Sequence, residues 1–373
     1  MKNRIRIVLV ALALCTVHAS LLAQAIRLPE GGVNLKRKTG TRIGVTDIEI
    51  NWNAPGVKGR EGQIWGTPVA YYGYTVLGFG SDMESPWRAG ANESTTISFS
   101  TDVLINGKKL AAGTYGFFIA LYADSSTLIF NKNTKGWGSY FYDKNLDVLH
   151  VGTRQQKDLK ESRERLDYIF SKETDRSVEV ALEWERWRIP FTVEVDLMNT
   201  ALSAIRADLS GAIGFDPPSL QAAAAWCLTN QVNYEQALGW INRATDPNLG
   251  AVKSFNALSI KAGLLSKLNQ QAEADKVMTA ALETATALEM HQYGRRLLME
   301  KKPKEAMVVF ERNYKQNKGV WPTHVGMMRG YSAMGDLKKA LEHTRLAVVQ
   351  APDELNKKNL EQAVKTLESG KAL

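Results

Sequence analysis

An antiparallel β domain followed by an array of paired α-helices, a multidomain β + α class, is predicted by three features of this 373-residue chain. Apolar residues alternate with period two between residues 45 and 195, helical spacing takes over abruptly near residue 196, and an alanine then recurs about every 34 residues. With 44% hydrophobic and 23% charged residues the composition suits packed cores, and the length suits two of them. The β part is expected as a sandwich or jelly-roll-like domain, the α part as a solenoid of helix pairs.

Residues 1–25 read as a secretory signal. Lys2, Arg4 and Arg6 precede an apolar run over 7–17, and Ala23-Gln24-Ala25 is a small-x-small site with cleavage expected after Ala25. The run is shorter than the ~20 residues a membrane-crossing helix needs, so periplasmic or secreted export without a membrane span is expected. Leu12-Ala13-Leu14-Cys15 has the outline of a bacterial lipid-attachment site, but Leu14 stands where such sites want a small residue, which disfavours lipidation at Cys15. Removing the three signal cations lowers the formal charge from +8 to +5. The other cations interleave with acids, as in Lys157-Asp158-Leu159-Lys160-Glu161, which argues against a nucleic-acid partner. Cys227 is then the single thiol, so stability must come from packing.

An N-terminal extension is expected over 26–44 and the all-β domain over 45–195. Strands are predicted at 45–52, 69–77, 95–100, 103–105, 114–121, 126–130, 139–142, 146–151, 166–171, 178–187 and 191–195. Asn106-Gly107 is the strongest local signal, because both residues tolerate the positive φ of a type I′ hairpin turn.

A linker helix is expected within 196–218, ending before Asp216-Pro217-Pro218. Over 219–373 four segments share a frame: Tyr234-Glu235-Gln236-Ala237, Gln271-Ala272-Glu273-Ala274, Pro303-Lys304-Glu305-Ala306 and Leu337-Lys338-Lys339-Ala340, their alanines 37, 32 and 34 residues apart. This period resembles the tetratricopeptide repeat, a pair of antiparallel helices. Second-helix sites align at Ile241 and Ala244, Met278 and Ala281, Phe310, then Thr344 and Ala347. Small residues there let helices approach while larger ones fill the space between pairs. Gly335-Asp336 marks an inter-helix turn, Pro352 ends a helix, and 359–367 supplies a polar-faced capping helix. Repeats one to three depart from the usual pattern at the bulky first-helix positions.

The β region carries unusual words in order: Pro86-Trp87-Arg88-Ala89-Gly90-Ala91-Asn92-Glu93, Asn106-Gly107-Lys108, Ala112-Gly113-Thr114-Tyr115-Gly116, Gly136-Trp137-Gly138 and Tyr142-Asp143. Together they resemble domain-of-unknown-function family 2911, an exported domain of the Bacteroidetes type, over roughly residues 35–195. The resemblance implies a secreted or periplasmic β-rich domain, sometimes followed by tetratricopeptide repeats, with no established activity. Residues 74–85 depart from the family, where a shorter connection is expected, so a pocket beside that loop would be shaped differently here.

Trp87, Arg88, Asn92, Glu93, Trp137 and Tyr142 are the candidate ligand residues of the β domain. Trp87 offers apolar area, Arg88 a fork of donors, and Glu93 a carboxylate to accept from it. A structural role competes with this, in which an Arg88–Glu93 pair pins the loop and Trp87 is core. Trp137, Tyr140, Phe141 and Tyr142, with Tyr71, Tyr72 and Tyr74, would stack on sugar faces if exposed, although on strands every second ring points inward.

No catalytic motif is found. Two of Glu93, Asp147 and Glu183 would make a carboxylate pair of the kind glycosidases use, but 39 acidic residues supply many such trios. No Gly-x-Ser-x-Gly, His-x-x-x-His, Cys-x-x-Cys or phosphate-loop word occurs, and no metal or cofactor is expected. The leading expectation is therefore a non-catalytic exported protein that binds proteins or peptides through first-helix residues of its repeats, with Asn230, Lys261, Lys267, Tyr293, Arg296 and Tyr331 named from register. Glycan or small-ligand binding by the β domain is the alternative, with the repeats as support, and a hydrolase the third.

Overall fold

The computed structural model describes residues 33–250 and 253–373, which divide into two compact units between Leu202 and Ser203. The expected signal at 1–25 and Cys15 lie outside the described residues. No helix among the described residues is long and apolar enough to cross a membrane.

In the first unit, β1 (Leu35–Ile43), β2 (Thr46–Ala54), β5 (Thr96–Phe99), β8 (Gly113–Leu121), β9 (Ser126–Asn131) and β10 (Asp147–Thr153) form a six-stranded sheet in that order. A five-stranded sheet runs β11 (Arg163–Ser171), β12 (Ser177–Glu185), β13 (Trp187–Glu194), β6 (Val103–Ile105), β7 (Lys108–Leu110), and β3 (Thr75–Val76) pairs with β4 (Glu84–Ser85). Every strand pair is antiparallel. Asn106 and Gly107 link β6 to β7 with φ of 46° and 80°, as the hairpin signal predicts.

The inner faces close a sandwich. Ile48, Ile50, Phe117 and Phe130 of one sheet join Tyr168, Val180, Leu182 and Phe191 of the other in one core. Trp52 meets Tyr168 edge-on at 5.1 Å and Phe117 meets Phe191 at 5.7 Å. At one end Trp65, Trp87, Trp184 and Trp187 cluster, Trp65 lying flat on Trp187 at 4.5 Å.

Three expectations are corrected. The extension over 26–44 contains β1, whose alternation is masked because Lys36, Arg37, Lys38 and Arg42 blunt an edge strand paired only with β2. Residues 69–77 form only isolated bridges and two strand residues, since Gly66, Gly73 and Gly78 adopt positive φ. Residues 139–142 form a turn, not a strand. Helix α1 (Leu197–Leu209) falls within the expected linker segment 196–218, and the division between the two units passes through it.

In the second unit the helices run α2 (Pro217–Asn230), α3 (Tyr234–Ala244), α4 (Phe255–Lys267), α5 (Gln271–Thr284), α6 (Ala287–Met299), α7 (Pro303–Gln316), α8 (Trp321–Ala333), α9 (Leu337–Val349) and α10 (Glu354–Glu368). The recurring frame opens each second helix, α3, α5, α7 and α9, and Ala237, Ala274, Ala306 and Ala340 are all buried. First helices also pack on one another, α2 on α4 and α6 on α8. Repeat three inverts the usual size pattern. Phe310 of α7 is fully buried against Gly294 of α6 and Gly326 of α8, where a Cβ would come within 2.3 and 2.6 Å of its ring. Phe310→Ala is therefore expected to destabilise the repeat unit by about 3–5 kcal/mol, and Gly294→Ala by about 1–3 kcal/mol through overpacking. Urea unfolding of the full chain followed by far-UV circular dichroism measures both, and near-neutral values would contradict this packing.

Burial lowers the imidazole pKa of His291 to about 4, helped by the charges of Arg329 and Arg295, and burial also lowers those of His324 and His343. His324 Nδ1 lies 3.0 Å from His343 Nδ1, a contact with room for one proton. Unfolded imidazoles bind protons more readily than these folded ones. Their contribution to stability is thus complete above about pH 6.5 and lost as pH falls toward 4. The helical unfolding midpoint should be lower at about pH 5 than at about pH 7.5; equal midpoints would show that these imidazoles are not held neutral.

Candidate functional site

Over β8 and β9 the outer face of the six-stranded sheet is covered by chain rather than solvent. Phe118, Ala120 and Ile129 point outward and are buried under Tyr142. This explains why β8 is apolar on both faces. The turn carrying Tyr142 is pinned to the loop before β5: Ser139 Oγ donates to Pro86 O at 2.5 Å, and Ser94 Oγ contacts Gly136 O and Gly138 O at 3.1 Å each. The segment before β4 closes from the other side, with Ser81 N donating to Tyr140 O at 2.8 Å and Phe79 edge-on to Tyr140.

Between these segments lies a pocket of about 850 Å³. Tyr74, Val76, Met83 and Phe141 give it half-exposed apolar walls, while Asp82, Glu84, Asp143, Lys144 and Asn145 supply polar groups. Its floor is a network centred on Asp147, whose side chain is 8% exposed. Tyr142 Oη donates to Asp147 Oδ2 at 2.5 Å, His150 Nε2 contacts the same oxygen at 2.8 Å, and Asn131 Nδ2 donates to Oδ1 at 2.7 Å. Burial raises the Tyr142 phenol pKa far above its ordinary value, and the carboxylate beside it adds to this, so Tyr142 stays a donor. Burial also raises the pKa of Tyr74.

Residues 147 and 150 would point to opposite faces of a regular strand. A bulge at Val148, between the Asp147–Asn131 and Leu149–Phe130 pairs, turns Asp147 to the side of His150. The sequence singles out Tyr142 and weighs Asp147 among carboxylates, yet it passes over His150, because only the bulge joins them.

The candidate ligand residues do not gather in one cleft. Trp87 is 2% exposed and belongs to the sandwich core. Arg88 sits 5.1 Å above the Tyr140 ring and donates to Asn92 O at 3.2 Å, not to Glu93. Glu93 instead accepts from Asn53 Nδ2 at 2.6 Å and Lys36 Nζ at 3.4 Å, in a shallow cleft of about 330 Å³. Asn92 joins Asn34 and Asn53, and Trp137 is 52% exposed on the turn. The three carboxylates weighed for hydrolysis also stay apart: Glu183 is held by Arg163 and Arg188, Glu93 by Asn53 and Lys36, and Asp147 by Tyr142, His150 and Asn131. Among the described residues no three His, Cys, Asp or Glu side chains assemble as metal ligands.

In the repeat unit, all six residues named from register lie on first helices. Arg296 lines a groove of about 940 Å³ with Gln221, Ala225 and Thr229 of α2 and Asn256 and Ser259 of α4. Lys261 is half-buried and Lys267 exposed. Three of the six are engaged internally: Asn230 Nδ2 donates to Trp226 O at 2.8 Å, Tyr293 packs on Phe255 beneath Arg296, and Tyr331 stacks on His343 beneath Lys339. A second cavity of about 490 Å³ is lined by Arg295, Leu298, Met299, Lys301 and Arg329 among others. Neither Arg295 nor Arg329 stands out by register.

Gly138 has φ of 57°, and a Cβ there would lie 2.3 Å from the Arg88 guanidinium carbon. Gly138→Ala is thus expected to push Arg88 off Tyr140, loosen the turn over the pocket and cost about 1–3 kcal/mol. Denaturant unfolding of the β unit within the full chain measures this, and an unchanged midpoint would mean that the turn is not fixed there.

A family model described as a protein of unknown function (DUF2911) matches residues 35–193. No curated protein matches the chain. A solved structure titled "YrrB: a TPR protein with an unusual peptide-binding site" is 17% identical, with 43% of this chain and 86% of that one covered and a TM-score of 0.27. The β unit, from the first residue of β1 to the last but one of β13, is therefore the part of the chain that matches a family of unknown function.

Proposed function

We propose that the chain is an exported, non-catalytic binding protein whose repeat unit holds acidic, extended segments of other proteins along its first helices. The observation that carries this reading is a segregation of charge. The first helices α2, α4, α6 and α8 bear Lys261, Lys267, Arg295, Arg296 and Arg329 against one acid, Glu289, whose carboxylate is spent on the capping box at Thr286. Second helices mix both signs, as in Glu273, Asp275 and Lys276 of α5.

Arg329 supports the same reading. Its Nε is buried without a hydrogen-bond partner, and burial and the nearby charge of Arg295 both lower its pKa. Two guanidinium groups on adjacent first helices, beside a cavity with Leu298 and Met299 in its wall, suit a carboxylate flanked by an apolar side chain.

Fluorescence anisotropy of the full chain with labelled acidic, neutral and basic peptides of equal length tests this. Acidic peptides should bind preferentially and more weakly as salt rises, with Arg295→Ala, Arg296→Ala or Arg329→Ala each costing about tenfold in affinity. Equal binding of basic peptides, or affinities indifferent to all three substitutions, would overturn the reading.

A further inference from the structure

The pocket on the outer face of the six-stranded sheet is separate from the first-helix face, and its chemistry selects a different ligand. Its volume of about 850 Å³ lies within the range of small-ligand sites. Four carboxylates, Asp82, Glu84, Asp143 and Asp147, face one lysine, Lys144, so phosphates, nucleotides and fatty acids are disfavoured. An organic cation would need a deep carboxylate with free acceptor capacity. Asp147, the deepest, already accepts from Tyr142 and Asn131 and contacts His150, while Asp82 and Glu84 are exposed and attract weakly in water.

What remains is apolar wall and neutral hydrogen bonding. Phe141 is 51% and Tyr74 37% exposed, and both line the pocket as half-open aromatic rings. His150 uses Nε2 on Asp147, and no hydrogen bond to its Nδ1 occurs among the described residues. Lys144 and Asn145 offer donors beside the acceptors of Glu84 and Asp143. Aromatic walls beside both donors and acceptors complement a molecule with an apolar face and many hydroxyls. We infer that this pocket is a saccharide site of about disaccharide size, in which a sugar ring lies against Phe141 and Tyr74 and its hydroxyls bond to His150 and the rim groups.

The inference stands independently of the repeat unit's partner. Calorimetric titration of the full chain with maltose, cellobiose and N,N′-diacetylchitobiose tests it, with phenethylammonium and octanoate as cationic and anionic controls. At least one disaccharide should saturate with a dissociation constant of about 1 mM or tighter, and His150→Ala and Phe141→Ala should each weaken it about tenfold. Both side chains are about half exposed, so these variants leave the sandwich core intact. Asp147→Asn should weaken it too, but through the orientation of His150. Absence of saturable binding by all three sugars, binding unaffected by His150→Ala and Phe141→Ala, or saturation by phenethylammonium in their place would overturn the inference.

Discussion

Everything on the outer face of the β unit depends on which way Trp87 points. Trp87 and Ile119 exchange backbone hydrogen bonds of 3.1 and 2.9 Å, an isolated bridge that lays residues 86–88 beside β8 before Ala89 turns away with φ of 50°. Side chains alternate along such an edge. With Trp87 inside against Trp65 and Trp184, Arg88 must emerge on the far face, where it lies over Tyr140 and leaves Gly138 no room for a side chain. Residues 136–142 are thereby drawn across the sheet, Tyr142 covers Phe118 and Ile129, and Asp147 gains the phenol that helps hold its carboxylate. Burying one indole thus fixes the pocket floor some sixty residues later in the chain. Ala89 O, accepting from Thr95 Oγ1 and Tyr168 Oη, locks the same edge from inside.

The repeat unit solves its packing with other means. Four alanines at equivalent places let second helices sit close to their partners, a local rule that repeats because each pair contacts only its neighbours. Phe310 breaks the rule, and the glycines at 294 and 326 restore the fit by withdrawing side chains from the facing helices. Size is conserved across the contact although neither side has the usual residue. The charge asymmetry of the first helices is layered on this scaffold without disturbing it, since Lys261, Lys267, Arg295 and Arg296 take no part in the buried clusters.

What was legible in the sequence followed from short-range periodicity. Alternation found most strands, Asn106-Gly107 found its hairpin, and the alanine frame found the start of every second helix. The misses have separate causes. β1 is written in cations because it is an edge, residues 69–77 are bent by glycines, and the aromatic run at 139–142 is a turn whose rings cover a sheet face instead of extending it. Trp87 and Arg88 were both conspicuous, but that they point to opposite faces follows from pairing with Ile119, which no local pattern reports. Asp147 and His150 needed still more: a bulge that no residue type announces.

The bulge also bears on how such a site can change. The sandwich core is closed by inward residues of both sheets, and none of the pocket's walls belongs to that core. The walls come from residues 74–84 and 141–145, connecting segments laid over an already complete sheet face, while the sheet supplies only Asn131, Asp147 and His150 beneath them. Lengthening or exchanging the 74–85 connection would therefore reshape the opening without touching the residues that keep the sandwich folded. Moving the bulge would separate Asp147 from His150 and remove the floor altogether. The covering segments can thus vary in length and sequence while the polar floor is held by strand geometry.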